Sequence, residues 1–149
     1  MKKYAFKLEK VLKYRDSLVE QKKIEVTKAN QVVKEKETLL QEAKEERKRV
    51  VEERNQLRHF KINDIKKYTE YFKIMDRRIK YYEYDLIKAQ KFLEGKKQEY
   101  VESLREKKVL VKLKEKDQLK YDYEMRKEEE KLIDGLVSYQ SGKDGGQNG

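Results

Sequence analysis

The sequence contains no cysteine, no proline and no tryptophan, and its single histidine is His59. The missing cysteines exclude a disulfide framework and any thiolate metal site. One histidine without cysteine leaves a metal centre or a nucleophilic triad without its parts, so His59 reads as an ordinary loop residue. Glycine is scarce as well. Gly95 is the only one ahead of Gly135, and Gly142, Gly145, Gly146 and Gly149 follow late in the chain. With no proline and so little glycine, nothing forces a helix to stop. No apolar run approaches the ~18 residues that span a bilayer. The lysines of "MKKYAF" have no apolar segment after them to make a secretory signal. A soluble cytoplasmic protein is the expectation. "LEGKKQEY" carries a Gly-Lys pair but lacks the upstream glycine and the Ser/Thr of a phosphate-binding loop. No catalytic, cofactor-binding or metal-ligating residue is therefore expected.

What the chain has instead is charge. Of 149 residues, 46% are charged and only 36% are hydrophobic. That balance suits long solvated helices better than a compact globular domain. The formal net charge is +10, yet 29 acidic residues are interleaved with 39 basic ones. A basic helical protein can bind nucleic acid, anionic lipid or an acidic protein surface. The interleaved acids fit a salt-bridged helix surface, and phosphate binding would not call for so many. A basic-zipper protein would gather its cations in one block ahead of clean leucine heptads, which this chain does not do, so no nucleic acid is expected as partner.

Apolar residues recur at helical spacing. In "YAFKLEKVLKYRDSLVE", Leu8, Val11, Leu12, Leu18 and Val19 make one stripe, with a charged back formed by Lys7, Glu9, Lys10, Lys13, Arg15 and Asp16. With Tyr4 at heptad position d, the d series continues through Val11, Leu18, Glu25, Val32 and Leu39. The e series is Leu12, Val19, Val26, Val33 and Leu40, and the a series holds Leu8, Arg15, Lys22, Ala29, Lys36, Ala43, Val50 and Leu57. The seam of the first half is expected mainly along d and e, with a stutter where Val50 and Val51 follow Leu39 and Leu40. The second half carries a stronger run: Ile65, Tyr68, Phe72, Met75, Ile79, Tyr82, Leu86, Ala89 and Leu93. Lys96 is expected to break it, with Tyr100, Leu104 and Val111 continuing on a shifted face.

The pattern predicts an all-α fold: a long antiparallel two-helix coiled-coil hairpin, rod-like, with an overhanging C-terminal helix. Helix one is expected over about 3–58, a turn over about 59–64 with Asn63 or Asp64 as cap, and helix two over about 65–137. The Gly-rich stretch 138–149 is expected to be disordered. One continuous helix that dimerises in parallel is the competing structure. In the hairpin, Asp117 to Leu136 would overhang the N-terminus without an intramolecular partner. A lone helix of that size is marginal in water, so Tyr121, Met125, Leu132, Ile133 and Leu136 call for something to bury against.

The opening "YAFKLEKVLKYRDSLVEQKK" resembles the start of the flagellar export protein FliJ family and of the equivalent coiled-coil stalks of type III secretion systems. The resemblance rests on the aromatic-x-aromatic-x-Leu step of Tyr4, Phe6 and Leu8, then the Val11-Leu12 pair and Tyr14-Arg15. Length, two-helix layout, absence of proline and basic balance agree with it over residues 1–137. The resemblance implies an antiparallel coiled coil similar to the central stalk of rotary ATPases, without enzymatic activity or cofactor. It implies that the paired terminal ends enter the ring of the hexameric export ATPase FliI and promote its assembly and turnover. It also implies contact with the export gate protein FlhA and with export chaperones. The place implied is the cytoplasmic face of the cell membrane at the flagellar base, reached through partners. On its own the hairpin is expected to be a monomer.

Within that frame, Lys2, Lys3, Lys7, Lys10, Lys13 and Arg15, facing outward, together with Tyr121, Met125 and Leu132, are the expected contacts to the ATPase ring. Val51, Tyr71, Tyr81 and Tyr84 lie off the counted seam and are the expected contacts to the gate, because exposed aromatics mark binding patches. Leu8, Val11, Leu12, Leu18, Val19, Val32, Leu39, Ile65, Tyr68, Phe72, Met75, Ile79, Tyr82, Leu86 and Leu93 are the expected coiled-coil core. Two other readings stay open. One is a generic structural coiled coil, including a parallel homodimer acting as a spacer. The other is the stalk subunit of an ion-translocating rotary ATPase, for which the chain lacks room for a globular foot.

Overall fold

The computed structural model describes residues 3–147. It holds two helices, α1 (Glu9–Asn55) and α2 (Ile62–Gln147), and no strand among the described residues. The helices pack against each other as an all-α antiparallel hairpin. As residue numbers rise along α1, those of the ion-pair partners on α2 fall, from Glu9–Lys114 through Lys22–Glu99 and Lys36–Asp85 to Arg47–Asp76.

Local chemistry sets the helix ends. α1 starts later than the pattern suggested, at Glu9, whose N–H donates to Phe6 O at 3.1 Å. The Glu9 carboxylate complements the positive end of the helix. α1 closes with a tightened turn in which Leu57 N–H donates to Arg54 O at 3.2 Å. The turn itself is 56–61, a few residues earlier than the expected 59–64. Asp64 does cap α2, from inside its first turn: its Oδ2 accepts from Lys61 N–H at 3.2 Å. α2 then runs on through residues 138–147, where a disordered tail was the expectation. No glycine among the described residues takes the positive φ that usually ends a helix.

The chain divides into two units. The hinge unit, Leu18–Ser103, buries Val19, Ala29, Val33, Leu40, Ala43, Met75 and Leu93. Ala29, Val33 and Leu93 cluster with Val26, Leu86 and Ala89 packed against them. Met75, only 1% exposed, is the most deeply buried large side chain. Ser103 is buried too, and its hydroxyl is satisfied by donating to Tyr100 O at 2.7 Å. In the terminal unit, the described residues through Ser17 pack against part of the stretch from Leu104 on, and Leu110 is the buried apolar residue among those described.

These contacts correct the register. The α1 seam follows positions a and e: Leu12, Arg15, Val19, Lys22, Val26, Ala29, Val33, Lys36, Leu40, Ala43, Arg47, Val50 and Arg54 are all buried or half-buried. Positions a and e alternate by four and three residues, which is the spacing of a two-stranded seam; d and e are neighbours that point about 100° apart. Hence Leu8, Val11, Val32 and Leu39, counted as core, stay about two-fifths exposed, and Ile65 is 54% exposed. The seam passes through Arg47 without the expected stutter. On α2, Lys96 does not break it either: Leu93, Lys96, Tyr100, Ser103, Lys107 and Leu110 keep the same spacing, and Leu104 is exposed.

The charged seam residues explain why the apolar count misled. Arg15 pairs with Glu106, Lys36 Nζ lies 2.8 Å from Asp85 and Arg47 Nε lies 2.7 Å from Asp76. Lys22 and Lys96 share Glu25 and Glu99 at 3.3–3.6 Å. Burying a Leu, Val or Met side chain stabilises by about 1.5–3 kcal/mol, and a partly exposed ion pair supplies a fraction of that. The few buried apolar residues therefore hold the helices together, and the ion pairs fix which residue faces which.

Candidate functional site

In the terminal unit, residues 3–8 precede α1 and are pinned to α2 by Tyr4. Its hydroxyl lies 3.3 Å from Lys114 O and 3.2 Å from Asp117 Oδ2. Its ring packs against Tyr121 at 5.3 Å between centroids, tilted by 59°. Desolvation, then the Asp117 carboxylate, push the Tyr4 phenol above its ordinary pKa, so it stays a neutral donor. Lys3, Tyr4 and Ala5 face Asp117, Lys120, Tyr121 and Glu124 across a shallow cleft.

Among the expected ring contacts, Lys3, Lys7, Lys10 and Lys13 are exposed, whereas Lys2 lies outside the described residues. Arg15 is not outward: a seam position turns its guanidinium onto Glu106. Tyr121 and Met125 are half-buried. From Arg126 to Lys143 every α2 residue is exposed. That segment is far from polar. Leu132 is 67% exposed, Leu136 63% and Tyr139 69%, with Ile133 and Val137 beside them. Met125, Leu132 and Tyr139 repeat every seven residues, so a row that is half-buried at Met125 runs on through exposed residues.

The hinge unit holds a second set. Phe72 sits between two guanidinium groups, Arg47 at 5.0 Å and Arg54 at 5.1 Å from the ring centroid. Tyr68 and Tyr71 flank it at 6.4 and 5.6 Å. Of the expected gate contacts, Tyr71 is half-buried, its hydroxyl 3.4 Å from Glu46 Oε1. Burial, then Glu46, raise its pKa. Val51 is half-buried as well, which removes both residues from an open aromatic patch. Tyr81 and Tyr84 are open at 62% each, Lys88 lying 5.5 Å above the Tyr84 ring. Sequence reasoning missed Arg47 and Arg54 as partners of Phe72, and the signal available was their place in the three-and-four spacing. It also missed that Phe60 and Ile62 at the turn are exposed, at 48% and 75%.

No group of three or more His, Cys, Asp and Glu among the described residues is placed to hold a metal ion. No helix among them is long and apolar enough to cross a membrane. No curated protein and no solved structure matches the chain. Residues 4–146, nearly all of it, match the family model described as Flagellar FliJ protein. The two-helix hairpin, the aromatic anchor of its opening segment and that match agree: the chain belongs to the FliJ family of flagellar export components.

Proposed function

We propose that this protein is a non-enzymatic stalk of the flagellar type III export apparatus. It seats its terminal unit in the hexameric export ATPase FliI, promotes assembly and turnover of that ring, and links it to the export gate protein FlhA, with export chaperones as further partners. The work is done at the cytoplasmic face of the cell membrane. The observation that carries this reading is the exposed apolar stretch of α2 after Arg126. Leu132, Leu136 and Tyr139 have the four-and-three spacing of a packed row and nothing among the described residues to pack on. Burial of even two such side chains in apolar ring loops supplies about 3–6 kcal/mol, enough for a specific seat. Lys3, Lys7, Lys10 and Lys13 add an electropositive collar suited to acidic loops, which steers docking more than it adds affinity. Tyr81 and Tyr84 are the open aromatic residues offered to the gate, with Val51 and Tyr71 behind them.

The test is ATP turnover by the purified export ATPase with and without this protein. Stimulation that is lost in Leu132→Asp/Leu136→Asp, with helicity retained, supports the seat. Absence of stimulation by a well-folded wild-type chain would leave a coiled coil with another partner, and its mass would then decide between a monomeric hairpin and a dimeric spacer.

A further inference from the structure

The turn of the hinge unit differs in chemistry from the rest of the chain. Residues 54–63, "RNQLRHFKIN", form the longest stretch without an acidic residue. Within and just after it, four large apolar side chains are exposed: Leu57 39%, Phe60 48%, Ile62 75% and Ile65 54%. Arg58, Lys61, Lys66 and Lys67 surround them, and none of these four has an ion-pair partner among the described residues. Along the seam the opposite holds, and cations from one helix meet acids from the other.

We propose that this turn docks on an anionic lipid bilayer, inserting Phe60 and Ile62 with Leu57 and Ile65 at the headgroup boundary while Arg58, Lys61, Lys66 and Lys67 meet lipid phosphates. Apolar residues ringed by unpaired cations have the composition of an interfacial anchor. A bilayer fits better than an acidic protein surface for a geometric reason. A groove beside the turn is lined by Val50, Glu53, Asp64, Lys67, Tyr68, Glu70, Tyr71 and Ile74, and includes none of the four exposed apolar residues. They stand on a turn and the first residues of α2, outside that groove, and a fluid bilayer takes exposed side chains without a preformed cavity. The contact is direct, and so is additional to any membrane location gained through the gate.

Flotation of the full-length protein with phosphatidylcholine vesicles, with and without phosphatidylglycerol, tests this. Wild-type protein should float with the anionic vesicles only. Arg58→Glu/Lys61→Glu should weaken binding about tenfold or more. Phe60→Ser/Ile62→Ser should keep binding at low salt and lose it at physiological salt, where screening removes the electrostatic share. Lys112→Glu/Lys116→Glu, the same charge change in the terminal unit, should bind like wild type. All of these positions are exposed, and unchanged helicity checks that each variant folds. Absence of flotation with either vesicle overturns the proposal. So does an equal loss in the Lys112/Lys116 variant, which would mean attraction by net charge alone. So, too, does binding of the turn to the soluble part of the gate protein with no vesicle binding, which would assign the turn to an acidic protein surface.

Discussion

α2 carries apolar residues in two environments. Leu93 and Leu110 lie against α1, each 9% exposed. Leu132 lies on the same helix at 67% exposed. Residue type does not distinguish them; the presence of a partner helix does. A periodic stripe records that a helix face is meant to be covered, and leaves open by what. The covered part is therefore a matter of stability and the uncovered part a matter of partners, and substitutions in the two should separate cleanly.

The largest effect is expected in the covered part. Met75→Ala removes the most buried side chain of the seam and should cost about 2–5 kcal/mol by urea unfolding followed by circular dichroism. A loss below about 1 kcal/mol would mean that the two helices are held by something other than this packing. The converse change, Leu132→Asp with Leu136→Asp, should leave unfolding within about 0.5 kcal/mol of wild type, as surface substitutions do. The same pair should lower stimulation of the export ATPase about tenfold or more, the consequence of losing one buried leucine's worth of contact. If it unfolds the protein instead, α2 beyond Arg126 is covered by its own chain and the contrast collapses.

The same contrast shows what was legible in the sequence. Two long helices followed from missing proline and glycine, and the unpartnered end followed from unequal helix lengths. The register did not follow. Val11, Val32 and Leu39 form an apolar heptad row as good as the true one, and counting apolar residues favours it over a row holding Arg15, Lys22, Lys36 and Arg47. The true row wins because Glu106, Glu99, Asp85 and Asp76 stand opposite those cations. Pairing across two helices cannot be read from one. The exposure expected of Tyr71 failed for the same reason: Tyr71 is off the counted seam, yet its phenol reaches Glu46 of α1.

Ion pairs give the next, smaller contrast. Arg15→Glu places a carboxylate opposite Glu106, where the seam holds a pair. Hydrogen exchange over residues 9–17 should quicken while exchange around Ala29 and Val33 stays slow, because the substitution opens the terminal unit without touching the hinge-unit cluster. Arg15→Glu combined with Glu106→Arg should restore much of the protection. Failure of the double variant to recover would mean that packing of the arginine stem, rather than its charge, holds that position.

The smallest effect is the pH dependence of the Lys22–Glu25–Lys96–Glu99 group. Hydrogen bonds from Lys96 and then Lys22 hold the Glu99 carboxyl below its ordinary value of 4.5. Its contribution is thus complete above that value and is lost as pH falls through the lowered one. Glu99 likewise raises Lys22 above its ordinary 10.5, and Asp85 raises Lys36; their contributions are complete below 10.5 and are lost as pH rises through the raised values. Stability should therefore be flat across the neutral range, with a shallow acid limb and a shallow alkaline one. Glu99→Gln should flatten part of the acid limb and part of the alkaline limb together, because it removes both a lowered carboxyl and the main cause of a raised lysine. A change confined to the acid side would show that Lys22 turns to Glu25 when Glu99 is gone, and that the four charges exchange partners without loosening the seam.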